Sequence, residues 1–349
     1  EFSDYLPPTA SHADDICLVR SMHTGISGHE TGISAMNTGR AKRGRPVLGS
    51  WLVYGLGTEN QDLPGFVAMS PRAQPRGKLA NWGNSFLPGA YAGTYVNIAS
   101  MKPEAILRDL KNKHLARADQ KRQADLLARL NRVQLERVKQ DRQLEASIEA
   151  MEMAFRMQFA VPEAFDLSKE SKSTLEMYGG SEYAKGCLLA RRLCERGVRY
   201  VQLYYDGGQP WDTHDNHNER MVTLTRNVDR PIASLLADLK QRGLLEDTLV
   251  VWGGEFGRTP VSENGNGRDH NHHGFTMWMA GGGVRGGQVI GATDDFGMHA
   301  VESPAHVHDL HATFLHAIGL DHQKLVYHLQ GRPERATLNE GTVIAGVMK

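Results

Sequence analysis

The stretch that decides the fold reads Thr248-Leu249-Val250-Val251-Trp252-Gly253-Gly254-Glu255-Phe256-Gly257-Arg258-Thr259-Pro260. Its first five residues form a short apolar run, which predicts a buried β-strand. The strand runs directly into a glycine-rich loop that carries Glu255 and Arg258. Because α/β proteins place their sites beyond the carboxyl ends of strands, this stretch predicts both the fold class and the position of the site.

The segments on either side of this stretch alternate between strands and helices. Apolar runs predict strands over 198–204 and 275–280, and amphipathic patterns predict helices over 186–196, 228–241 and 304–318. Pro231 suits the start of the second of these helices, since proline is favoured in a first helical turn. This alternation predicts an α/β domain with a mostly parallel sheet and helices on both faces.

The composition excludes a partner bound by net charge. The chain has 349 residues, and its 40 Lys and Arg balance its 40 Asp and Glu. Nucleic-acid binding depends on a basic surface that releases counterions, so no nucleic-acid partner is expected. No apolar run approaches the length of about 18 residues that a membrane helix needs, so no transmembrane segment is expected either.

Residues 102–160 differ in composition from the rest of the chain and predict a helical insertion. The segment lacks glycine after Pro103 and repeats apolar residues at helical spacing, which indicates one long helix or two antiparallel ones. Such a stripe packs in a core or against a partner helix, and it therefore suggests a homo-oligomer contact. Its apolar residues are Leu126, Leu127, Leu130, Val133, Leu144, Ile148 and Met151.

The three cysteines favour neither a disulfide framework nor a zinc finger. Cys17, Cys187 and Cys194 are odd in number and show no CxxC spacing. We expect them to be small buried apolar residues.

Carboxylates and histidines gather where the predicted strands end. Asp212 and His214 follow the strand over 198–204, Glu255 follows the next one, and Asp269 and His270 precede the strand over 275–280. Carboxylate and imidazole groups bind Zn or Mn, and with fewer histidines Ca or Mg, so these five residues are candidate metal ligands. The alternative is that Asp212 caps a turn, His270 lies in an exposed loop, and Glu255 pairs with an arginine.

Two arginines flank these candidate ligands. Arg258 and Arg268 suit a bidentate clamp on a phosphate, sulfate or carboxylate group. The alternative is that they pair with a carboxylate and orient Glu255.

A further helix is predicted to end at Gly39, and a last one carries several histidines. His29 lies near the start of the first helix, where free backbone N–H groups favour an anion, whereas Ser27 and Thr31 suit simple caps. Of His306, His308, Asp309, His311 and His316, most are expected on the helix surface or in the core, and only His308 is retained as a candidate.

Several of these motifs resemble the sulfatase-like family of domain of unknown function 1501, over nearly the whole chain. They are Arg45-Pro46-Val47-Leu48-Gly49-Ser50-Trp51, the run 54–66, Gly253-Gly254-Glu255-Phe256-Gly257-Arg258-Thr259-Pro260, Ala280-Gly281-Gly282-Gly283-Val284, Thr293-Asp294-Asp295-Phe296-Gly297 and the run 306–313. The resemblance implies a single alkaline-phosphatase-like α/β domain over 1–349. It also implies a divalent metal, a small-molecule or polysaccharide ester substrate, and a periplasmic or extracellular location.

The resemblance also shows where this chain departs from the superfamily. His29 stands where the superfamily has a hydroxyl or modified cysteine nucleophile, and Phe256 stands where it has a second metal ligand. The chain also resembles the family only from a point after its usual first strand, so we expect that strand and one ligand to be missing.

Two functions follow as expectations. The first is a metal-dependent hydrolase of phosphate or sulfate esters, sulfatase-like and acting on sulfated polysaccharide. Asp212, His214, Glu255, Asp269 and His270 would surround the metal, Arg258 and Arg268 would bind the anion, and His29 would be nucleophile, general acid or ligand. The second is an exported binding or assembly protein that keeps the fold without catalysis.

Overall fold

A computed structural model describes residues 2–99, 117–138, 152–153, 155–157, 160–262, 265–338 and 340–349. The α-helices of these residues include α1 (Pro7–Ala10), α2 (His29–Thr38), α3 (Leu48–Leu56), α4 (Arg117–Val138), α5 (Lys172–Tyr178), α6 (Glu182–Glu195), α7 (His217–Gln241) and α8 (Val307–Ala317).

The strands of the described residues are β1 (Ile16–His23), β2 (Phe66–Ser70), β3 (Thr94–Asn97), β4 (Tyr200–Leu203), β5 (Val250–Trp252), β6 (Gly257–Arg258), β7 (His270–Asn271), β8 (Phe275–Ala280), β9 (Gln288–Ile290), β10 (Ala292–Thr293), β11 (Ala300–Glu302), β12 (Ala305–His306), β13 (Val326–Leu329) and β14 (Arg332–Arg335). The predicted strand over 275–280 is therefore confirmed at both ends, and the other two are shorter than expected.

Two sheets carry the architecture, and the α/β class is confirmed. One sheet has the order β3-β2-β4, and all of its pairs are parallel. The other runs β12-β1-β8-β5, with β9 also paired to β1. Here β12 and β9 lie parallel to β1, whereas β8 lies antiparallel to both β1 and β5. The second sheet is mixed, so the expectation of a mostly parallel sheet holds only for the first.

The connection between β5 and β8 explains this difference. A parallel pair needs a crossover, usually a helix, to return the chain to the same end of the sheet. The described residues between Trp252 and Phe275 contain only loop and the short antiparallel pair of β6 and β7. Because no crossover helix is available there, β8 returns antiparallel to β5.

Helices cover both faces of the sheets. On one face, α6 packs Leu189 and Leu193 against Val67 and Met69 of β2. On another, α3 and α8 share a cluster that includes Trp51 and Leu315. Because each of these helices buries one apolar face, its apolar residues recur at helical spacing in the sequence.

Helix α7 begins earlier than the sequence predicts. It starts at His217, so Pro231 lies inside the helix and not in its first turn. The expectation that Pro231 marks the helix start is wrong. An internal proline removes one backbone hydrogen bond, and here burial of α7 through Ile232, Leu236 and Leu239 offsets that loss.

A buried ion network joins α6 to α7. The Arg191 side chain is 1% exposed, and its Nε atom donates to Oδ2 of Asp238 at 2.9 Å. Its Nη2 atom lies 2.7 Å from Glu170, and the Tyr178 hydroxyl donates to the same Asp238 carboxylate. Each buried charge is therefore compensated, as a buried ion pair requires.

The predicted helical insertion is described in part. Helix α4 covers its middle, and Leu126, Leu130 and Val133 on this helix are 57%, 56% and 47% exposed. Leu144, Ile148 and Met151 lie outside the described residues. In the part of the chain that the structure describes, no helix is long and apolar enough to span a membrane.

The cysteines are free thiols, with Cys17 and Cys187 buried and Cys194 partly buried. Burial raises the pKa of Cys17 to about 11 and that of Cys187 to about 12, so both stay protonated near neutral pH. The expectation of small buried residues therefore holds for Cys17 and Cys187, whereas Cys194 is only partly buried.

A cavity of about 1660 Å³ is lined by residues from both sheets. Strands β4 and β5 both line it, and no strand of the described ranges pairs with either one on this side. The cavity also reaches His29, Asp212, Glu255 and Arg258. These four of the candidate residues therefore share one concave region.

Candidate metal centre

Four loops bring the candidate side chains together. His29 is the first residue of α2, in the connection that follows β1. Asp212 and His214 lie in the loop after β4, Glu255 lies in the loop after β5, and His270 begins β7. Since each residue follows or begins a strand, the fixed strand positions hold the four loops in place.

His29 lies between two carboxylates. Its Nδ1 atom is 2.5 Å from Oε1 of Glu255, and its Nε2 atom is 3.1 Å from Oδ2 of Asp212. The Nε2 atom is buried and lacks hydrogen-bond geometry to any partner. Burial opposes the charged imidazolium, but the hydrogen bond with Glu255 and the nearness of Asp212 outweigh it and raise the pKa of His29.

His270 directs one ring nitrogen at the same aspartate. Its Nδ1 atom lies 2.5 Å from the carbonyl oxygen of Ser27, and its Nε2 atom lies 3.1 Å from Oδ1 of Asp212. A carbonyl only accepts, so Nδ1 must be the donor, and neutral imidazole then carries its lone pair on Nε2. A lone pair aimed at a carboxylate is repelled unless a cation or a proton is shared between them.

His214 repeats this arrangement from the other side. Its Nε2 atom lies 3.0 Å from Oδ1 of Asp212 and 3.1 Å from Nε2 of His270. Its Nδ1 atom lies 3.4 Å from Asp269. In a metal-ligating histidine, one ring nitrogen usually donates to a carboxylate or a carbonyl. The other ring nitrogen then binds the metal.

These distances fit one ion. His29, Asp212 and His270 form a group whose ligand atoms all lie within 4.8 Å of one another, and it is the only such group among the described residues. Two ligands that each lie about 2.1 Å from a tetrahedral ion are about 3.4 Å apart. The observed separations of 3.0 to 3.1 Å around Asp212 are close to this value.

The structure divides the five predicted ligands into two layers. Asp212 and His270 lie with His29 in the one close group, and the Nε2 atom of His214 lies 3.0 Å from Asp212 and 3.1 Å from Nε2 of His270. Glu255 and Asp269 instead contact the Nδ1 atoms of His29 and His214, respectively. Their contacts therefore suit orientation of the ligands better than direct ligation.

Arg258 contacts Asp212 and not Glu255. Its Nη2 atom lies 2.6 Å from Oδ1 of Asp212, and its Nη1 atom donates to the Arg268 carbonyl at 3.3 Å. Burial would raise the pKa of Asp212, but hydrogen bonds with Arg258 and His270, together with the adjacent imidazole of His29, hold it well below its usual range. The idea that Arg258 orients Glu255 finds no contact to support it.

The Arg268 side chain belongs to its own loop. Its Nη1 atom donates to the Gly267 carbonyl at 2.7 Å, and its backbone N–H donates to the Thr213 carbonyl at 2.9 Å. Arg268 therefore braces the loop that carries Asp212 and His214. A Cβ atom at Gly267 would lie 1.8 Å from the His214 carbonyl oxygen, so this close approach requires glycine.

Ser27 and Phe256 make contacts at the site that their residue types do not predict. The Ser27 backbone carbonyl sets the tautomer of His270, and a backbone group leaves no signal in the residue types. Phe256 stacks on His270 with ring centroids 4.3 Å apart and also lies 4.9 Å from His29. It cannot bind a metal, but it covers one side of the imidazoles.

His308 and His311 of α8 make contacts within the protein core. His308 is buried, with Nε2 donating to the Gly39 carbonyl at 2.7 Å and Nδ1 2.8 Å from Glu340. The retention of His308 as a site candidate is therefore not supported, because both nitrogens are used. His311 contacts the Met36 carbonyl, and burial lowers its pKa to about 4.

Two solved structures resemble this one at low identity. A PsFucS1 sulfatase from Pseudoalteromonas sp. is 13% identical, with a TM-score of 0.41 over 90% of this chain and 62% of that chain. The phosphonate monoester hydrolase SpPMH from Silicibacter pomeroyi is 11% identical, with a TM-score of 0.37 over 90% of this chain and 68% of that chain. The chain thus spans less than two thirds of the sulfatase.

The comparison with curated proteins finds no match. A family profile described as "Protein of unknown function (DUF1501)" matches residues 1–348. The motifs around Glu255, His270 and His308 all lie within this match. The chain therefore belongs to the DUF1501 family.

Proposed function

We propose that this protein is a metal-dependent hydrolase of phosphate or sulfate esters, built on an alkaline-phosphatase-like fold. One observation carries the proposal. The Nε2 atoms of His29, His214 and His270 all lie 3.0 to 3.1 Å from the carboxylate of Asp212. The Nδ1 atom of each ring contacts a different group. Glu255 contacts His29, Asp269 contacts His214, and the Ser27 carbonyl contacts His270.

The donor set favours a particular class of ion. Three imidazoles and one carboxylate are typical of Zn, and they also suit Mn. Ca and Mg prefer oxygen ligands, so this centre fits them less well. Of the four metals that the sequence suggests, we therefore propose Zn or Mn.

A bound divalent ion would polarise an ester oxygen and lower the pKa of a bound water. The protein residues have separate tasks. Glu255 keeps the proton of His29 on Nδ1, which leaves Nε2 directed at the centre. Arg258 holds Asp212 ionised and in position.

We assign His29 as a ligand and not as the nucleophile. Both of its ring nitrogens face carboxylates, so neither is turned toward open space. Near it, the Thr31 hydroxyl donates to the Gly28 carbonyl at 3.0 Å. This arrangement favours hydrolysis by water over a covalent intermediate on a side chain.

The test measures metal content and turnover together. Purified protein is analysed by mass spectrometry for bound metals and assayed with 4-nitrophenyl phosphate and 4-nitrophenyl sulfate in the presence of Zn, Mn, Ca or Mg. We expect stoichiometric metal, and loss of both metal and hydrolysis in Asp212→Ala and His270→Ala. His316→Ala is the control, since that histidine is exposed at the end of α8. Metal-free protein, or variants that keep wild-type metal content, would contradict the proposal.

A second candidate function rests on helix α4. Leu126, Leu130 and Val133 are spaced so that they share one helical face, and all are at least 47% exposed. An exposed apolar stripe suits a subunit contact in a binding or assembly protein. Replacing all three by Lys should reduce the mass measured by light scattering if this face joins two copies. An unchanged mass would exclude that role.

A further inference from the structure

Helix α2 carries a polar side chain on the same face as His29, further along the cavity. His29, Ile33 and Asn37 follow one another at intervals of four residues, so they share one helical face, and all three line the cavity. Because an α-helix rises about 1.5 Å per residue, Asn37 lies about 12 Å along α2 from His29. One wall of the cavity therefore leads from the candidate metal centre to Asn37.

The hydrogen bonds around Asn37 fix the direction of each donor. The Nδ2 atom of Asn81 donates to the Arg76 carbonyl at 2.6 Å. Oδ1 of Asn81 is therefore left to accept from Nδ2 of Asn37 at 3.3 Å. Nδ2 of Asn37 also donates to the Tyr204 hydroxyl oxygen at 3.3 Å, and Oδ1 of Asn37 accepts from Gln202 at 2.8 Å. This order of amides makes the Tyr204 hydroxyl an acceptor.

The Tyr204 hydroxyl therefore has its own proton available for another group. Its oxygen accepts from Asn37, and no acceptor for its proton is found among the residues that the structure describes. Tyr204 also lines the cavity. Burial raises the pKa of Tyr204 above its ordinary value, and the nearby charge of Glu255 raises it further, so the hydroxyl stays protonated. Tyr204 thus offers a neutral hydrogen-bond donor at the cavity wall.

Arg76 brings a positive charge to the same wall. It is exposed and lines the cavity, and within the described ranges no carboxylate pairs with its guanidinium. The Asn81 side chain holds its backbone carbonyl. A Cβ atom at Gly77 would lie 2.8 Å from Oδ1 of Asn81, and Gly77 has φ of +90°, so glycine is favoured here. The loop is thereby packed closely against Asn81, which fixes the backbone of Arg76 beside the amides.

The two arginines that the sequence suggests as anion ligands have other contacts. Arg258 contacts Asp212, and the Arg268 side chain donates to the Gly267 carbonyl. A guanidinium and a hydroxyl both donate to phosphate, sulfate and carboxylate oxygens, and a guanidinium adds its charge. Arg76 and Tyr204 therefore supply the donors that an acidic group requires.

We propose that Arg76 and Tyr204 form a second anion subsite, which binds an acidic group of the substrate about 12 Å from the reacting ester. This inference rests on the proposed hydrolase function. It adds a substrate class, because the subsite selects esters that carry a second phosphate, sulfate or carboxylate group at that distance. An ester with one acidic group places that group at the metal centre and gains nothing from the subsite.

The experiment compares two phosphate esters that differ only in the second acidic group. Hexyl phosphate has one phosphate, whereas hexanediol bisphosphate carries another at the far end of a chain that spans the required distance. Release of inorganic phosphate is measured with Zn or Mn for the wild type, Arg76→Gln and Tyr204→Phe. In each variant the ratio of kcat/KM for the bisphosphate to that for hexyl phosphate should fall about 10-fold, mainly through KM.

Lys78→Gln is the matched control, because it removes one positive charge from the same loop. Lys78 is exposed and is not among the described residues that line the cavity. This variant should keep the wild-type ratio, and Arg76→Lys should restore part of the preference because it retains the charge. An unchanged ratio in Arg76→Gln overturns the subsite. An equal fall in Lys78→Gln also overturns it, since net charge alone would then explain the preference.

A binding measurement separates the subsite from the hydrolase function. Isothermal titration with the two esters reports affinity without turnover, and Arg76→Gln changes an exposed residue, so it tests the subsite without loss of packing. Tighter binding of the bisphosphate that Arg76→Gln abolishes supports the subsite even if no ester is hydrolysed, in which case only the hydrolase function fails. Hydrolysis by a wild type that does not prefer the bisphosphate keeps the function and removes the subsite.

Discussion

The Nε2 atom of His29 lies 3.1 Å from Oδ2 of Asp212. The two residues are far apart in sequence, and Glu255 contacts the other nitrogen of the same ring across 226 positions of the chain. A partly buried imidazole between two carboxylates stabilises a positive charge, which either a proton or a metal ion can supply. This relationship leads to predictions on metal affinity, pH dependence and packing.

We expect Glu255→Gln to weaken metal binding. The amide cannot hold the Nδ1 proton of His29 as strongly as the carboxylate does, so Nε2 becomes a poorer ligand. Loss of such an outer contact typically costs about 10- to 100-fold in metal affinity. Isothermal titration with Zn measures the change, and exposed Glu246→Gln is the control. Equal affinity in the two variants would show that Glu255 does not act through His29.

The metal-free protein should lose stability as the pH rises above the ordinary imidazole pKa. The pKa of His29 is raised above 6.5 in the folded state. Its contribution is therefore complete below that pH and is lost as the pH rises through the higher folded value. The pKa of Asp212 is lowered from 3.8, so its contribution is lost only in acid.

Denaturant unfolding with a chelator at pH 6 and pH 9 measures this effect. The wild type should have a lower free energy of unfolding at pH 9, and His29→Gln should show a smaller difference between the two values. Metal affinity should rise over the same range, because the ion displaces the proton. A variant with the same pH dependence as the wild type would show that other groups control it.

Gly32→Ala should weaken the site without harming its helix. A Cβ atom at this position of α2 would lie 3.0 Å from Cγ and 3.1 Å from Cβ of Glu255, so Glu255 must move by a few tenths of an ångström. Alanine is favoured over glycine in a helix by about 1 kcal/mol, which opposes any loss of stability. We therefore expect lower Zn affinity with little change in Tm.

Gly25→Ala is the control for this substitution, because a Cβ atom there meets nothing within 4 Å. It should retain wild-type Zn affinity. If Gly32→Ala binds Zn as tightly as Gly25→Ala, the position of Glu255 is not critical.

His308→Ala should destabilise the fold and leave the metal site intact. The substitution removes the donor to the buried Gly39 carbonyl and the contact with Glu340. An unsatisfied buried carbonyl costs about 1 to 3 kcal/mol, and the lost packing adds to this. Thermal unfolding should show a lower Tm, whereas the metal content should equal that of the wild type. If the folded variant lost its metal, His308 would again be a candidate metal ligand.

The elements were largely readable from the sequence, but the pairing of the strands was not. Phe275–Ala280 forms a strand as predicted, and α2 ends before Gly39, which has φ of +74°. The sequence predicted that α7 begins near Pro231, which is wrong. Tertiary packing supports a helix that begins at His217 and continues through the proline. The direction of β8 also depends on a connection whose conformation the residue pattern does not specify.

The sequence by itself determined which chemical groups are available at the strand ends. Carboxylates and imidazoles at 212, 214, 255, 269 and 270 follow or precede apolar runs, and that local pattern survives in the structure. Only the tertiary structure decided the role of each group. Whether a histidine faces the centre or the core depends on which group holds its other nitrogen, and these partners come from distant segments, as with Ser27 for His270 and Gly39 for His308.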